Sequence, residues 1–277
     1  MVRVLTTTDT DHRLPKIFTV IDARYMRLGL AWARCAQEVS GRAPTFICAD
    51  EVSCAFLQAE GFACLFRPPP VPLSPAGRQI YAASTFPNDA AAYTVTLKLA
   101  AALDFLDGGD AVLFSDVDAI WLKDPVGDIL RQDADIVFQP ASFPKAAKDR
   151  WGFAICTGFL FLRPCQATRQ LAEAVIRRFD GSDQRTLNHV LLADFDIGWL
   201  RGQPTGRPAA SRVAGSTPSP DFAPAPVGAW SRCPMSALSV TALVREPAAI
   251  CHSNSPKDQE EKFRILDALG IALPRGP

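Results

Sequence analysis

The sequence predicts an α/β protein: a Rossmann-type mixed sheet with helices on both faces, built as a single domain. Three observations carry that expectation. In the first 66 residues, short apolar runs alternate with segments of helical period, the arrangement that builds a parallel sheet with covering helices. Ala111, Val112, Leu113 and Phe114 form a continuous apolar run, as expected of a strand buried on both faces. Two acidic residues, Asp116 and Asp118, follow directly, and ligand sites of open sheets lie beyond the carboxyl ends of their strands. A chain of 277 residues is long enough for one elaborated domain of this kind.

The elements follow in order. "KIFTVID" (16–22) reads as the first strand, and "YMRLGLAWARCAQEV" carries apolar residues at helical spacing. "APTFICAD" reads as a second strand ending at Asp50, followed by a helix over Glu51 to Glu60 and a short strand at "FACLF". Residues 67–92 are rich in Pro, Ser and Ala and read as a long loop, either a lid or recognition segment or plain disorder. Thr94 to Leu106 is a helix stopped by Gly108 and Gly109, and the aspartate strand comes next. "ADIVFQP" and "GFAICTGFLFLRP" read as strands, the second broken at Gly158. "ATRQLAEAVIRRF" aligns Leu171, Val175 and Phe179 on one helical stripe, and "SDQRTLNHVLL" opens a helix capped by Ser182 or Asp183. A second Pro-rich loop is expected over 201–229. A short strand then leads through His252 into a final helix, with Ser255 as cap, Pro256 in its first turn and Gly270 at its end.

Composition narrows the function. With 29 basic and 29 acidic residues and no long basic run, bulk attraction to nucleic acid or to an anionic membrane is not supported. No stretch has the length of a membrane span or a signal-peptide core, so a soluble, cytoplasmic protein is expected. The eight cysteines contain no C-x-x-C pair, and all are read as reduced, small hydrophobes.

Aspartates one residue apart share a face if the strand geometry persists. Like charges so close make sense with a cation between them, and an oxygen-preferring Mg²⁺ or Mn²⁺ is the natural candidate. A bare D-x-D triplet also fits a solvated turn, so its surroundings decide. "HSNSPK" (252–257) joins an imidazole to a helix start, whose free N–H groups suit phosphate, with Lys257 adding a full charge. His252 with two carboxylates is a mixed nitrogen and oxygen set suited to Mn²⁺. Alone, each part is ordinary: a structural histidine, a solvated lysine, a cap at Asp183, a close backbone approach at Gly158.

"VLFSDVDAIWLKDP", preceded by "TLKLAAALDFLDGGD", resembles the central signature of the nucleotide-diphospho-sugar transferase family that includes plant rhamnogalacturonan xylosyltransferases and related arabinosyltransferases. The resemblance continues through "ICTGFLFLRP", "SDQRTLNHVL" and "ICHSNSPKDQEEKFRIL", and is most specific from Lys98 to Pro125. It implies a GT-A fold, a nucleotide-sugar donor (a UDP-sugar foremost), Mn²⁺ or Mg²⁺, and retention of anomeric configuration. It implies metal ligation by Asp116, Asp118 and His252. Donor contacts are implied at Val20, Asp22, Tyr25, Lys98, Asp116, Val117, Gly158 and Lys257, and a sugar pocket at Asp183 and Gln184, the candidate catalytic pair. The acceptor, whether glycan, protein or small molecule, is left open.

Two other readings compete. A haloacid-dehalogenase-type phosphatase also uses D-x-D after an apolar strand, but its motif normally continues Gly-Thr on the first strand, whereas here Ala119-Ile120-Trp121 follows. A non-catalytic nucleotide-sugar binding protein would keep the same fold without turnover.

Overall fold

The computed structural model describes residues 14–68, 89–131, 134–194, 222–224, 230–232, 249–252 and 259–274. Ten strands lie among them: β1 (Lys16–Ile21), β2 (Thr45–Cys48), β3 (Ala63–Phe66), β4 (Val112–Ser115), β5 (Ala119–Trp121), β6 (Ile136–Ala141), β7 (Ala154–Leu162), β8 (Phe222–Pro224), β9 (Trp230–Arg232) and β10 (Ile250–His252). Seven form a mixed sheet in the order β3-β2-β1-β4-β7-β6-β8. From β3 to β4 the neighbours run parallel, β7 runs antiparallel to both β4 and β6, and β8 is parallel to β6. A smaller sheet, β5-β10-β9, sets β10 antiparallel to β5.

Eight α-helices are described: α1 (Met26–Ser40), α2 (Glu51–Ala59), α3 (Asp89–Asp107), α4 (Val126–Leu130), α5 (Lys145–Trp151), α6 (Gln166–Arg177), α7 (Asp183–Asp194) and α8 (Gln259–Ala268). The apolar strands are buried on both faces because side chains alternate between two cores. Ile17, Ile21, Phe46 and Leu113 face a core with Trp32 of α1 and Leu57 of α2. Phe18, Ile47, Val112 and Phe114 face a second, with Leu99 of α3, Leu171 of α6 and Leu187 of α7. This is the mixed α/β architecture the sequence predicts.

Local chemistry sets several boundaries. Asp50 caps α2 by accepting from the Ser53 amide at 2.7 Å, and α3 ends where Gly109 takes φ +82°. Cys165 and Thr168 form a reciprocal capping box at the start of α6.

Some expectations need correction. α3 begins at Asp89, inside the stretch expected as loop, because Ala90, Ala91 and Ala92 are strong helix formers. β8 falls inside the expected 201–229 loop, where three residues pair with β6 despite the Pro-rich surroundings. The rest of both loops, and Ser255, Pro256 and Lys257, lie outside the described residues. Cys251 is disulfide-bonded rather than reduced, whereas Cys35, Cys48, Cys54, Cys64, Cys156 and Cys165 are free thiols. Spacing alone could not separate the two groups.

Candidate active site

β4 ends at Ser115, so extended geometry does not persist through the acidic pair. Residues 116–119 form a turn closed by the Ala119 amide on the Asp116 carbonyl at 2.9 Å, and the Asp116 amide donates to the Gly158 carbonyl at 2.7 Å. The turn is pinned from below. The buried Ser115 hydroxyl accepts the indole N–H of Trp32 at 3.1 Å and that of Trp121 at 3.2 Å.

The aspartates therefore meet not by strand periodicity but because a second sheet delivers a partner. β10 pairs with β5 in the register that sets His252 opposite Ala119. Carboxylate oxygens of Asp116 and Asp118 and a ring nitrogen of His252 lie within 4.8 Å of one another. His252 Nε2 stands 3.4 Å from Asp118 Oδ1 and 3.9 Å from Asp116 Oδ2. The imidazole is 1 % exposed, and its other nitrogen, Nδ1, is 2.6 Å from Gln139 Oε1. An amide oxygen there keeps a proton on Nδ1, so in the neutral ring Nε2 offers its lone pair to the space shared with the carboxylates. Among the described residues the buried Nε2 has no hydrogen-bond partner, only these charge contacts.

Gly158 is required by this convergence. A Cβ on it would fall 2.3 Å from His252 Cε1 and 2.6 Å from Asp116 Oδ2. The residue lies within β7 where pairing with β6 shifts: Leu160 opposes Phe138, but Cys156 opposes Gln139. The strand is thus irregular rather than broken at Gly158, and the irregularity lets the backbone approach the imidazole.

Two buried lysines complete an alternating row of charge. Lys262 of α8 bonds to Asp118 Oδ2. Lys98 of α3 lies 3.3 Å from Asp116 Oδ1 and 2.7 Å from Asp183 Oδ2, donates to the Thr157 carbonyl at 3.2 Å, and sits over the Phe114 ring. Burial opposes the Lys98 charge, but Asp116 and Asp183 outweigh it and raise its pKa. Burial likewise opposes the His252 charge, yet the Asp118 carboxylate pushes its pKa up to about 10. Asp118 is held below the usual carboxylate range because His252 and Lys262 overcome its burial, while burial pushes Asp116 up.

Asp183 is not the cap of α7: Ser182 Oγ accepts from the Arg185 amide at 3.3 Å, which frees the Asp183 carboxylate for Lys98. Gln184 donates from Nε2 to the Phe143 carbonyl at 2.6 Å. Asp22 takes the Arg24 guanidinium and caps the 3₁₀ turn at Ala23–Tyr25, and the Tyr25 ring lies 5.9 Å from Lys262 Nζ. Val20 is half-buried on β1, and Val117 is buried in the turn between the two aspartates. Sequence reasoning missed Gln139, Lys262 and Ser115. The first two left a signal: Gln139 interrupts the apolar strand "IVFQP", and Lys262 starts the apolar face of the last helix.

The mixed sheet brings a D-x-D turn and an inward histidine together at the end of β4. Residues 42–198 match the family described as nucleotide-diphospho-sugar transferase, and the chain belongs to that family. It is a glycosyltransferase, and the phosphatase reading falls. No curated protein matches the sequence. Among solved structures, the galactosyltransferase LgtC in complex with donor and acceptor sugar analogues is similar in fold. It has a TM-score of 0.55 and 13 % identity over 94 % of this chain and 97 % of its own. The bifunctional glycosyltransferase WbbM shows a TM-score of 0.51 at 10 % identity over 95 % of this chain and 50 % of its own. Both likenesses confirm the GT-A fold. Among the described residues no helix is long and apolar enough to cross a membrane.

Proposed function

We propose that the chain is a metal-dependent, retaining glycosyltransferase that takes its sugar from a nucleoside-diphosphate donor, with UDP-sugars first among those to test. The observation that carries the metal is the buried Nε2 of His252 facing two carboxylates, with no hydrogen-bond partner among the described residues. Asp116, Asp118 and His252 would hold the ion. One nitrogen and carboxylate oxygens favour Mn²⁺, with Mg²⁺ the alternative. Bound there, a divalent cation supplies Lewis acidity to the diphosphate leaving group.

The protein's own charges fit that ligand. Lys98 and Lys262 against Asp116, Asp118 and Asp183 leave one net negative charge once a bound metal has displaced the proton that His252 holds beside Asp118. A divalent ion makes the cluster positive, as a diphosphate requires. Lys257, outside the described residues, enters as a phosphate contact through the sequence resemblance alone. Asp22, Val20 and Tyr25 stand at the end of β1, where they would line the nucleotide base. Asp183, bonded to Lys98, presents a carboxylate for the developing sugar cation, with Gln184 beside it. Donor contacts at Gly158 and Val117 would come from backbone.

The test is thermal unfolding with a panel of nucleoside diphosphates and nucleotide sugars, with Mn²⁺ and with EDTA, on wild type and Asp118→Asn. A ligand at a hundred times its dissociation constant adds about 2.7 kcal/mol of stability. Metal-dependent stabilisation in wild type and its loss in the variant are expected. No shift with any nucleotide in the presence of metal overturns the donor site. Donor hydrolysis without acceptor separates an enzyme from a binding protein.

A further inference from the structure

A second convergence lies away from the aspartate turn. Cys48 at the end of β2, Cys54 in the first turn of α2 and Cys64 on β3 bring three free thiols within 4.8 Å of one another. We propose that this trio is a binding site for a thiophilic d¹⁰ cation such as Zn²⁺, held by three thiolates and one water.

Geometry and donor chemistry support this independently of the transferase reading. Sulfurs about 2.3 Å from a tetrahedral ion stand about 3.8 Å apart, so the trio reaches ligand spacing by closing about 1 Å at most. The three come from three successive elements, yet their sulfurs turn to one another within a core otherwise filled by Phe46, Leu57 and Phe62. Cys48 is fully buried and Cys54 nearly so, whereas Cys64 is half-buried on the edge strand and gives an entry path and a place for water. The neighbouring carboxylate does not compete. Asp50 Oδ1 is engaged by the Ser53 amide and Oδ2 by the Ala23 amide, each at 2.7 Å. An all-sulfur protein donor set selects a soft ion over the Mn²⁺ or Mg²⁺ of the aspartate site.

Binding needs no oxidant. Each sulfur loses its proton and forms one bond to the ion, and three protons pass to the solvent. The ion would tie β2, α2 and β3 together. The tie reaches the donor side of the sheet, because the Arg67 amide donates to the Cys48 carbonyl at 2.8 Å and Asp50 holds the Ala23 amide.

The experiment titrates the full-length chain, its Cys251 disulfide intact and its free thiols unoxidised, with Cd²⁺ and reads the ultraviolet thiolate-to-cadmium charge-transfer band. In parallel, protection of Cys64 from alkylation by Zn²⁺ is mapped by mass spectrometry. One equivalent of Cd²⁺ should saturate the band in wild type and equally in Asp118→Asn. Cys64→Ser should weaken binding more than about 100-fold, beyond the 10- to 100-fold that loss of a residue merely buttressing a ligand costs. Cys165→Ser, outside the trio, should change nothing. Zn²⁺ should protect Cys64 of wild type where equal Mn²⁺ does not, a readout that stands even where a cysteine variant fails to fold. Absence of the band, its survival in Cys64→Ser, equal protection by Mn²⁺, or a disulfide within the trio in place of protection would each overturn the proposal.

Discussion

The turn after β4 and the edge formed by β2, α2 and β3 both gather candidate ligands from distant parts of the chain, but they do so with opposite physics. At the turn every group is charged or aimed: two lysines, three aspartates and an imidazole alternate in sign within a buried space. At the edge the groups are neutral thiols that also pack as small hydrophobes. Buried charges are tolerated only in company, so the turn is held by its pairings, while an apolar thiol cluster holds without a ligand. Removing one member should therefore be severe at the turn and mild at the metal-free edge.

Lys98→Met tests the severe side and should show the largest effect. The substitution keeps an unbranched apolar side chain beside the Phe114 ring but leaves Asp183 and Asp116 without their cation. Breaking such a pair costs about 3–5 kcal/mol, read as a fall in denaturation midpoint. Adding Asp183→Asn to Lys98→Met should recover most of the loss, because the stranded charge goes as well. A loss in the single variant no larger than that of Cys54→Ala in metal-free protein would erase the contrast between the two regions.

Gly158→Ala is expected next, and its signature differs. One methyl group overlaps His252 and Asp116 without removing any charge. Overpacking of this kind costs about 1–3 kcal/mol of stability. The functional loss should be larger than the stability loss suggests. Displaced ligands should lower Mn²⁺ affinity and reduce kcat/KM at least about 100-fold, equivalent to about 2.7 kcal/mol of transition-state stabilisation. Intact circular dichroism with undiminished Mn²⁺ binding would show that the close approach does not position the ligands.

Ser115→Ala acts one layer deeper. It strands the buried indole N–H groups of Trp32 and Trp121 while leaving every charge in place. An unsatisfied buried donor costs about 1–3 kcal/mol, and a loss near 2 kcal/mol with a change in tryptophan emission is expected. An effect confined to stability, with donor affinity unchanged, would separate the support of the turn from its chemistry.

These contrasts explain what the sequence could disclose. The alternation of strand and helix is written locally, as apolar runs and caps at Asp50, Ser182 and Gly109, so the α/β architecture was legible. The D-x-D pair was legible for the same reason, since both carboxylates lie within three residues of one another, but the turn that carries it was not, because it depends on the Asp116 amide bonding to Gly158. His252 drew notice as an imidazole before a helix start, but no local pattern shows that it meets the aspartates, because a strand pairing across more than a hundred residues sets it opposite Ala119. Lys262 and Gln139 have no local motif; each is a single polar residue in an apolar pattern, which reports burial but not the partner. The thiol trio was illegible because its spacings of six and ten residues match no familiar ligand pattern, and adjacency arises from β2–β3 pairing and the docking of α2. Short helices such as α4 and α5 left too few turns for a periodic signal.

The smallest expected effect concerns how α7 is started rather than what it carries. Asp180 accepts from Arg185 Nε at 2.8 Å, from Thr186 Oγ1 at 2.8 Å and from the Ser182 amide at 3.2 Å, so it shapes the turn that lets Ser182 cap and leaves Asp183 to Lys98. Burial would raise its carboxyl, but the Arg185 and Thr186 bonds hold it below its ordinary value. A depressed folded pKa contributes stability that is present above the unfolded carboxylate value, near 4, and is lost as pH falls through the folded one. Because this carboxylate is more than a third exposed and its pair screened, the contribution is discounted to about 0.5 kcal/mol. Asp180→Asn should therefore unfold slightly more easily than wild type at pH 7, with the difference shrinking toward pH 3 and fading in high salt. A difference that grows as the pH falls would mean that Asp180 acts through some route other than its charge.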